Sequence, residues 1–198
     1  CIRDRVGTIY SRAELTALSE TCHKYGLYLF LDGARLGYGL AAPDNDLTLP
    51  EIAALCDVFY IGGTKVGALF GEAVVIKNPE LAQDFRYLIK QNGGMLAKGR
   101  LLGLQFDALF TDGLYQEISA HAIAMAEKLR EAFTAKGYNY LAPNRTNQIF
   151  VIVPDAHLAK ISEQFEYSYD QRIDATHSCV RFCTSWATKE ENVDALIR

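Results

Sequence analysis

Two short apolar runs that alternate with helical segments constrain the fold of this chain most strongly. "LYLFLD" at residues 27–32 and "DVFYIGG" at 57–63 have the continuous hydrophobic pattern of strands buried on both faces. A helix precedes each run: Ser11 and Glu14 form a capping box before the first, and "LPEIAALC" at 49–56 precedes the second. This alternation predicts an α/β fold with right-handed crossovers and a mainly parallel sheet flanked by helices.

The rest of the chain predicts a second, smaller domain. "EAVVIK" at 72–77 is a third candidate strand, and residues 79–136 are mostly helical in pattern. After Gly137, the runs "NQIFVIV" and "CVRFCTS" indicate strands among further helices. We therefore predict a large domain over residues 1–111, followed by a linking helix and a small C-terminal α+β domain over 112–198.

Composition narrows the possible functions. The chain has 198 residues, a net charge of −4 and no basic run, which argues against nucleic acid as a partner. Its apolar stretches are too short to span a membrane, so we expect a soluble, cytoplasmic protein. The five cysteines are scattered and include no C-x-x-C pair, so we predict reduced thiols and no metal site.

Asp32 and Lys65 are the candidate catalytic residues, because each follows a predicted strand at its carboxyl end. Ligands of open α/β sheets bind at that edge. An isolated aspartate there is often a helix cap or turn residue, and an isolated lysine is often a solvated loop residue. One hypothesis explains both: an acid and a partly desolvated lysine that face each other can bind pyridoxal phosphate, with the lysine forming a Schiff base.

The glycine-rich segments do not match nucleotide-binding motifs. "GGTKVG" lacks the spacing of a phosphate-binding P-loop, and "DGARLGYG" does not fit G-x-G-x-x-G. We interpret Gly33, Gly37 and Gly39 as turn glycines.

"LYLFLDGARLGYGL" followed by "DVFYIGGTKVGALFGEAVV" resembles the centre of the fold-type I pyridoxal-phosphate enzymes, and most closely the threonine aldolase and β-eliminating lyase group. "GTIYS" at residues 7–11 and "CVRFCTSWATKEENVDAL" at 179–196 resemble further segments of that group. The resemblance implies a partial large domain, because in the family an amino-terminal part supplies the phosphate loop and the residue that stacks on the cofactor ring.

The resemblance also implies a role for individual residues. Lys65 would hold the cofactor and Asp32 would pair with its ring nitrogen, while Ala34 leaves space for the ring. Arg35 would contact the phenolic side of the cofactor, and Arg181 would bind the substrate carboxylate.

The sequence departs from the family pattern at the residue before Lys65 and in the segment that would contact the cofactor phosphate. Thr64 stands where family aldolases commonly have serine, and we count it among the cofactor-binding residues. The segment "NGGMLAKGR" replaces the family's G-G-G-M-R-Q, which leaves Lys98 and Arg100 as alternatives for a phosphate contact.

The implied function is a pyridoxal-phosphate aldolase that cleaves β-hydroxy-α-amino acids of the threonine type to glycine and an aldehyde. The alternatives are a β-eliminating lyase and a non-catalytic truncated subunit. The resemblance also implies a homodimer or homotetramer, with a small-molecule amino acid as substrate.

Overall fold

The computed structural model describes residues 2–3 and 7–198, so that Cys1 lies outside the described residues. The helices are Arg12–Lys24 (α1), Leu36–Ala41 (α2), Leu49–Leu55 (α3), Phe85–Gln91 (α4), Arg100–Phe110 (α5), Leu114–Ala135 (α6), Asp155–Ile161 (α7) and Glu190–Ile197 (α8). The strands are Ile2–Arg3 (β1), Thr8–Ile9 (β2), Phe30–Leu31 (β3), Val58–Gly62 (β4), Glu72–Ile76 (β5), Asn139–Tyr140 (β6), Gln148–Pro154 (β7), Ser168–Arg172 (β8) and His177–Cys183 (β9). Among the described residues, no helix has the length and apolar character needed to cross a membrane.

The first sheet has the strand order β3-β4-β5. Strands β3 and β4 are parallel, which confirms the predicted crossover through α3, and the crossover also contains α2, which was not predicted. Strand β5 pairs antiparallel with β4, because residues 63–71 join the two strands directly without the crossover of about a dozen residues that a parallel pair requires. The α/β class is confirmed, and the sheet in the described residues is mixed.

Burial of β3 differs from the prediction for "LYLFLD". Leu31 is buried, whereas Tyr28 and Phe30 remain 53% and 59% exposed. Tyr28 and Phe30 alternate with the buried Leu31, so they share the face of this strand that stays open to solvent in the described part of the chain. The prediction that this run is buried on both faces is therefore wrong for the described chain. In β4, by contrast, Phe59 and Ile61 are both buried.

The second sheet has the order β6-β7-β9-β8, and all its pairs are antiparallel. Helix α6 contributes side chains to the hydrophobic clusters of both sheets. Its residues Ala122 and Ile123 belong to the hydrophobic cluster around the first sheet, and Leu129 and Phe133 belong to the cluster around the second. The strands and helices predicted after Gly137 are confirmed, while the division at residue 111 stays a prediction.

Candidate active site

Asp32 directly follows β3, and two donors hold one of its carboxylate oxygens. The Tyr60 hydroxyl donates a hydrogen bond to Oδ1 of Asp32, and the backbone N–H of Ala34 donates to the same atom at 3.0 Å. The Tyr60 hydrogen bond is the largest cause of a lowered pKa at Asp32, and the positive charge of Lys65 adds to it. Asp32 is therefore an anion at neutral pH, as a partner for a protonated ring nitrogen must be.

The two motif segments approach each other backbone to backbone. The Gly62 amide donates to the Gly33 carbonyl at 2.9 Å. A Cβ added at Gly33 would lie 1.7 Å from the Tyr60 carbonyl oxygen, and one at Gly62 would lie 2.2 Å from the Ala34 carbonyl oxygen. Because no side chain fits in either place, Gly33 allows the close approach of the two segments. Its carbonyl also accepts a hydrogen bond from the Leu36 amide at 2.9 Å, so it begins a turn as predicted. Gly37 and Gly39 lie inside α2, and the turn interpretation is wrong for these two glycines.

Lys65 lies in the turn that follows β4. Its backbone carbonyl accepts a hydrogen bond from the Tyr38 hydroxyl, which in turn accepts one from the Trp186 amide at 3.3 Å. Tyr38 thus ties the lysine turn to the segment that follows β9. The side chains of Lys65 and Thr64 are exposed, so the expected partial desolvation of Lys65 is not provided by the described residues.

Arg181 is half-buried on β9, with its neighbours Val180 and Phe182 buried on the opposite face as alternation predicts. Its guanidinium donates to Gln148 Oε1 at 3.3 Å and to Ser168 Oγ at 3.4 Å. Its Nε is buried and has no hydrogen-bond partner in the described part of the chain. Because both bonds are long and go to neutral groups, the guanidinium retains capacity for an anion.

The positive charge of Arg35 influences the titration of two other groups in the site. Its charge acts on Tyr60, the partner of Asp32, and on the thiol of Cys183. Although part of Cys183 reaches solvent, desolvation raises its pKa, and the positive charges of Arg181 and Arg35 oppose that rise. Both arginines thus act on the charge of this thiol, and Arg35 also acts on the tyrosine that is hydrogen-bonded to Asp32.

Several contact residues were missed by sequence reasoning. No sequence motif marks Tyr60, Tyr38, Gln148 or Ser168 as a site residue. The parallel register, with Leu31 opposite Phe59, places Tyr60 beside Asp32, and such a register is not visible in the sequence. The candidates Lys98 and Arg100 are both exposed, and their phosphate role stays a prediction.

A carboxylate after β3 and a lysine in the turn after the neighbouring strand β4 are the pair that binds pyridoxal phosphate, and with this fold they place the chain in the class of fold-type I pyridoxal-phosphate enzymes. The chain belongs to the beta-eliminating lyase family, whose model matches residues 3–156.

Similar proteins agree with this assignment. The chain is 31% identical over 194 residues to a low specificity L-threonine aldolase of Pseudomonas aeruginosa, covering 98% of this chain and 55% of that protein. It is 33% identical over 195 residues to the enzyme of the same name from a Pseudomonas species, covering 96% of this chain and 55% of that protein. A solved structure of Leishmania major threonine aldolase superimposes with a TM-score of 0.95 at 44% identity, covering 98% of this chain and 56% of that one. The chain thus spans about half the length of these relatives.

Pyridoxal phosphate is the cofactor of this family, and the described residues fit it. Asp32 offers a carboxylate whose lowered pKa suits a cationic ring. Arg181 offers a buried Nε without a partner, which suits an anionic carboxylate of the amino acid bound to the cofactor.

Proposed function

We propose that the protein containing this chain is a pyridoxal-phosphate aldolase that cleaves threonine-type β-hydroxy-α-amino acids to glycine and an aldehyde. The observation that carries the proposal is the likeness to the Leishmania major threonine aldolase, at 44% identity and a TM-score of 0.95 across 98% of this chain. The contacts around Asp32, Lys65 and Arg181 support it, because they supply an acid, an amine and a guanidinium in one region.

The residues would divide the work by their chemistry. The Lys65 amine would hold the cofactor covalently, and its turn is fixed through the carbonyl bonded to Tyr38. The Asp32 carboxylate would hold a proton on the ring nitrogen, since its pKa is low and its orientation is set by Tyr60. When bound, pyridoxal phosphate supplies an electron sink for the bond that breaks at Cα.

Arg181 would orient the substrate. Its planar guanidinium can take a carboxylate through two parallel hydrogen bonds, and Gln148 and Ser168 on the two neighbouring strands hold it on one face of the second sheet. Phe150 lies under the same group, with the guanidinium carbon 5.9 Å from its ring centroid. An amino acid held at both its carboxylate and its amino group has a fixed Cα, and the bond to be broken is thereby selected.

The acceptor of the substrate hydroxyl proton is not assigned to a histidine of this chain. Each of the four is hydrogen-bonded elsewhere: His23 to Asp57, His121 to the Thr188 carbonyl, His157 to Tyr138, and His177 to Asp174.

We also propose a homodimer or homotetramer in the cytoplasm. Leu69 is 85% exposed, and Leu101 and Leu104 on α5 are 50% and 55% exposed, an apolar surface that a second copy would cover. The described cysteines are free thiols, which fits a reducing compartment.

Incubation of the intact protein with pyridoxal phosphate and threonine tests the proposed reaction. We expect glycine and acetaldehyde in equal amounts, abolished in Lys65→Ala and retained in Lys77→Ala, an exposed lysine that follows β5 as Lys65 follows β4. Ammonia and an α-keto acid without acetaldehyde would instead indicate elimination and overturn the aldolase assignment.

A further inference from the structure

Tyr60 occupies a position that the family assignment does not explain. It lies in β4, beside Asp32 in the parallel register with β3, and donates its hydroxyl hydrogen to Oδ1 of Asp32. The tyrosine ring is held from the β3 side by Phe30, with ring centroids 6.0 Å apart, and Val74 of β5 is its cross-strand partner. The Phe30 ring therefore packs against the tyrosine whose hydroxyl reaches the carboxylate of Asp32.

Two donors on one oxygen determine the orientation of a carboxylate. The terminal torsion of an aspartate side chain has a broad preference, so a single hydrogen bond leaves the plane of the carboxylate poorly defined. In Asp32 the Ala34 amide comes from the chain just after the strand, whereas the Tyr60 hydroxyl comes from the neighbouring strand. Together they set the direction of both oxygens.

We propose that Tyr60 is a positioning residue, which fixes the Asp32 carboxylate in the orientation that receives the ring nitrogen of pyridoxal phosphate. The inference rests on the proposed function for its ligand. Tyr60, on the strand next to the acid, would then act on the cofactor through Asp32.

The charges around the pair keep both partners in the required states. The positive charge of Lys65, in the turn after β4, acts on Asp32, while the charges of Glu72 on β5 and of Arg35 act on Tyr60. Desolvation and the bond to Asp32 raise the pKa of Tyr60 to about 12, so its hydroxyl remains a donor at neutral pH. Because the pKa of Asp32 is lowered, the carboxylate remains an acceptor over the same range.

The substitution Tyr60→Phe removes the donor and keeps the ring. The matched control is Tyr28→Phe, because the Tyr28 hydroxyl also donates to a carboxylate, that of Glu80 at 3.3 Å, and Tyr28 lies just before β3. Both variants of the intact protein should melt close to the unmodified protein, as each retains an aromatic ring of the same size.

The first measurement needs no cofactor. Carbon NMR of the Asp32 carboxyl, assigned by its loss in Asp32→Asn, should show its pKa rising toward the ordinary aspartate value in Tyr60→Phe and staying unchanged in Tyr28→Phe. The sign follows because a hydrogen bond to the charged form lowers the pKa of an acid. An Asp32 titration that is the same in all three proteins would overturn the inference.

The second measurement uses pyridoxal phosphate itself. We expect its dissociation constant to rise about tenfold in Tyr60→Phe, the usual effect of one hydrogen bond to a charged group, together with a shifted pH profile of the visible absorption band. If Tyr60→Phe left both the dissociation constant and the absorption spectrum unchanged, the role of Tyr60 would be overturned and the proposed function would stand. Failure of the unmodified protein to bind pyridoxal phosphate would overturn the proposed function, and the inference with it.

Discussion

Arg181 shows how a single side chain can be held ready for a ligand. Neutral partners, Gln148 and Ser168, contact its guanidinium at 3.3 and 3.4 Å, and its buried Nε has no partner among the described residues. A buried donor without a partner is costly, so its presence indicates a group that binds there. A carboxylate satisfies the geometry of the guanidinium better than any single oxygen would.

Replacing Arg181 with lysine should therefore separate charge from geometry. In Arg181→Lys we expect the KM for the amino acid to rise about 10- to 100-fold, because an ammonium group keeps the charge but loses the two parallel hydrogen bonds. Steady-state kinetics on the intact protein would measure this. Arg172→Lys is the control, since Arg172 lies on the adjacent strand and pairs with Asp155. Equal KM values in all three proteins would remove Arg181 from substrate binding.

At the scale of elements, the strand ends of β3 and β4 are joined through two glycines. A Cβ on Gly62 would lie 2.2 Å from the Ala34 carbonyl oxygen, which belongs to the backbone and can move only with its strand end. Gly62 is therefore required by the packing that places Asp32 and Lys65 together.

We expect Gly62→Ala to lower the free energy of unfolding by about 3 kcal/mol or more, as overpacking against backbone does. Gly103→Ala is the contrast, because nothing lies within 4 Å of a Cβ added in the middle of α5. It should change stability by less than about 1 kcal/mol, in the stabilising direction. Urea unfolding would measure both, and equal effects of the two substitutions would contradict the close approach at Gly62.

Sequence reasoning succeeded for elements whose signals are local. The capping box of Ser11 and Glu14 marks the start of α1, and the apolar run of β4 forms the predicted strand. It failed for β8, whose residues Ser168–Arg172 are all exposed and become a strand only by pairing with β9. The contact between Tyr60 and Asp32 was equally hidden, because it depends on the register between two strands far apart in sequence.

Exposed leucines on α5 and in the connection between β4 and β5 form an apolar surface that would be covered in an oligomer of the whole protein. Leu69, Leu101 and Leu104 lie open to solvent in a single chain. We expect Leu104→Asp to shift the intact protein from dimer or tetramer toward monomer in light scattering, because a charge in an apolar interface is costly. Leu18→Asp, an exposed leucine on α1, is the control. The same mass for both variants would exclude this surface from the interface.

Peptide mapping after borohydride reduction would show whether Lys65 holds pyridoxal phosphate. The intact protein would be loaded with the cofactor, reduced to make the bond permanent, digested and analysed by mass spectrometry. We expect the added mass on the peptide that contains "GGTKVG", residues 62–67, and on no other peptide. A label on any other lysine, or no label on a protein that binds the cofactor, would contradict it.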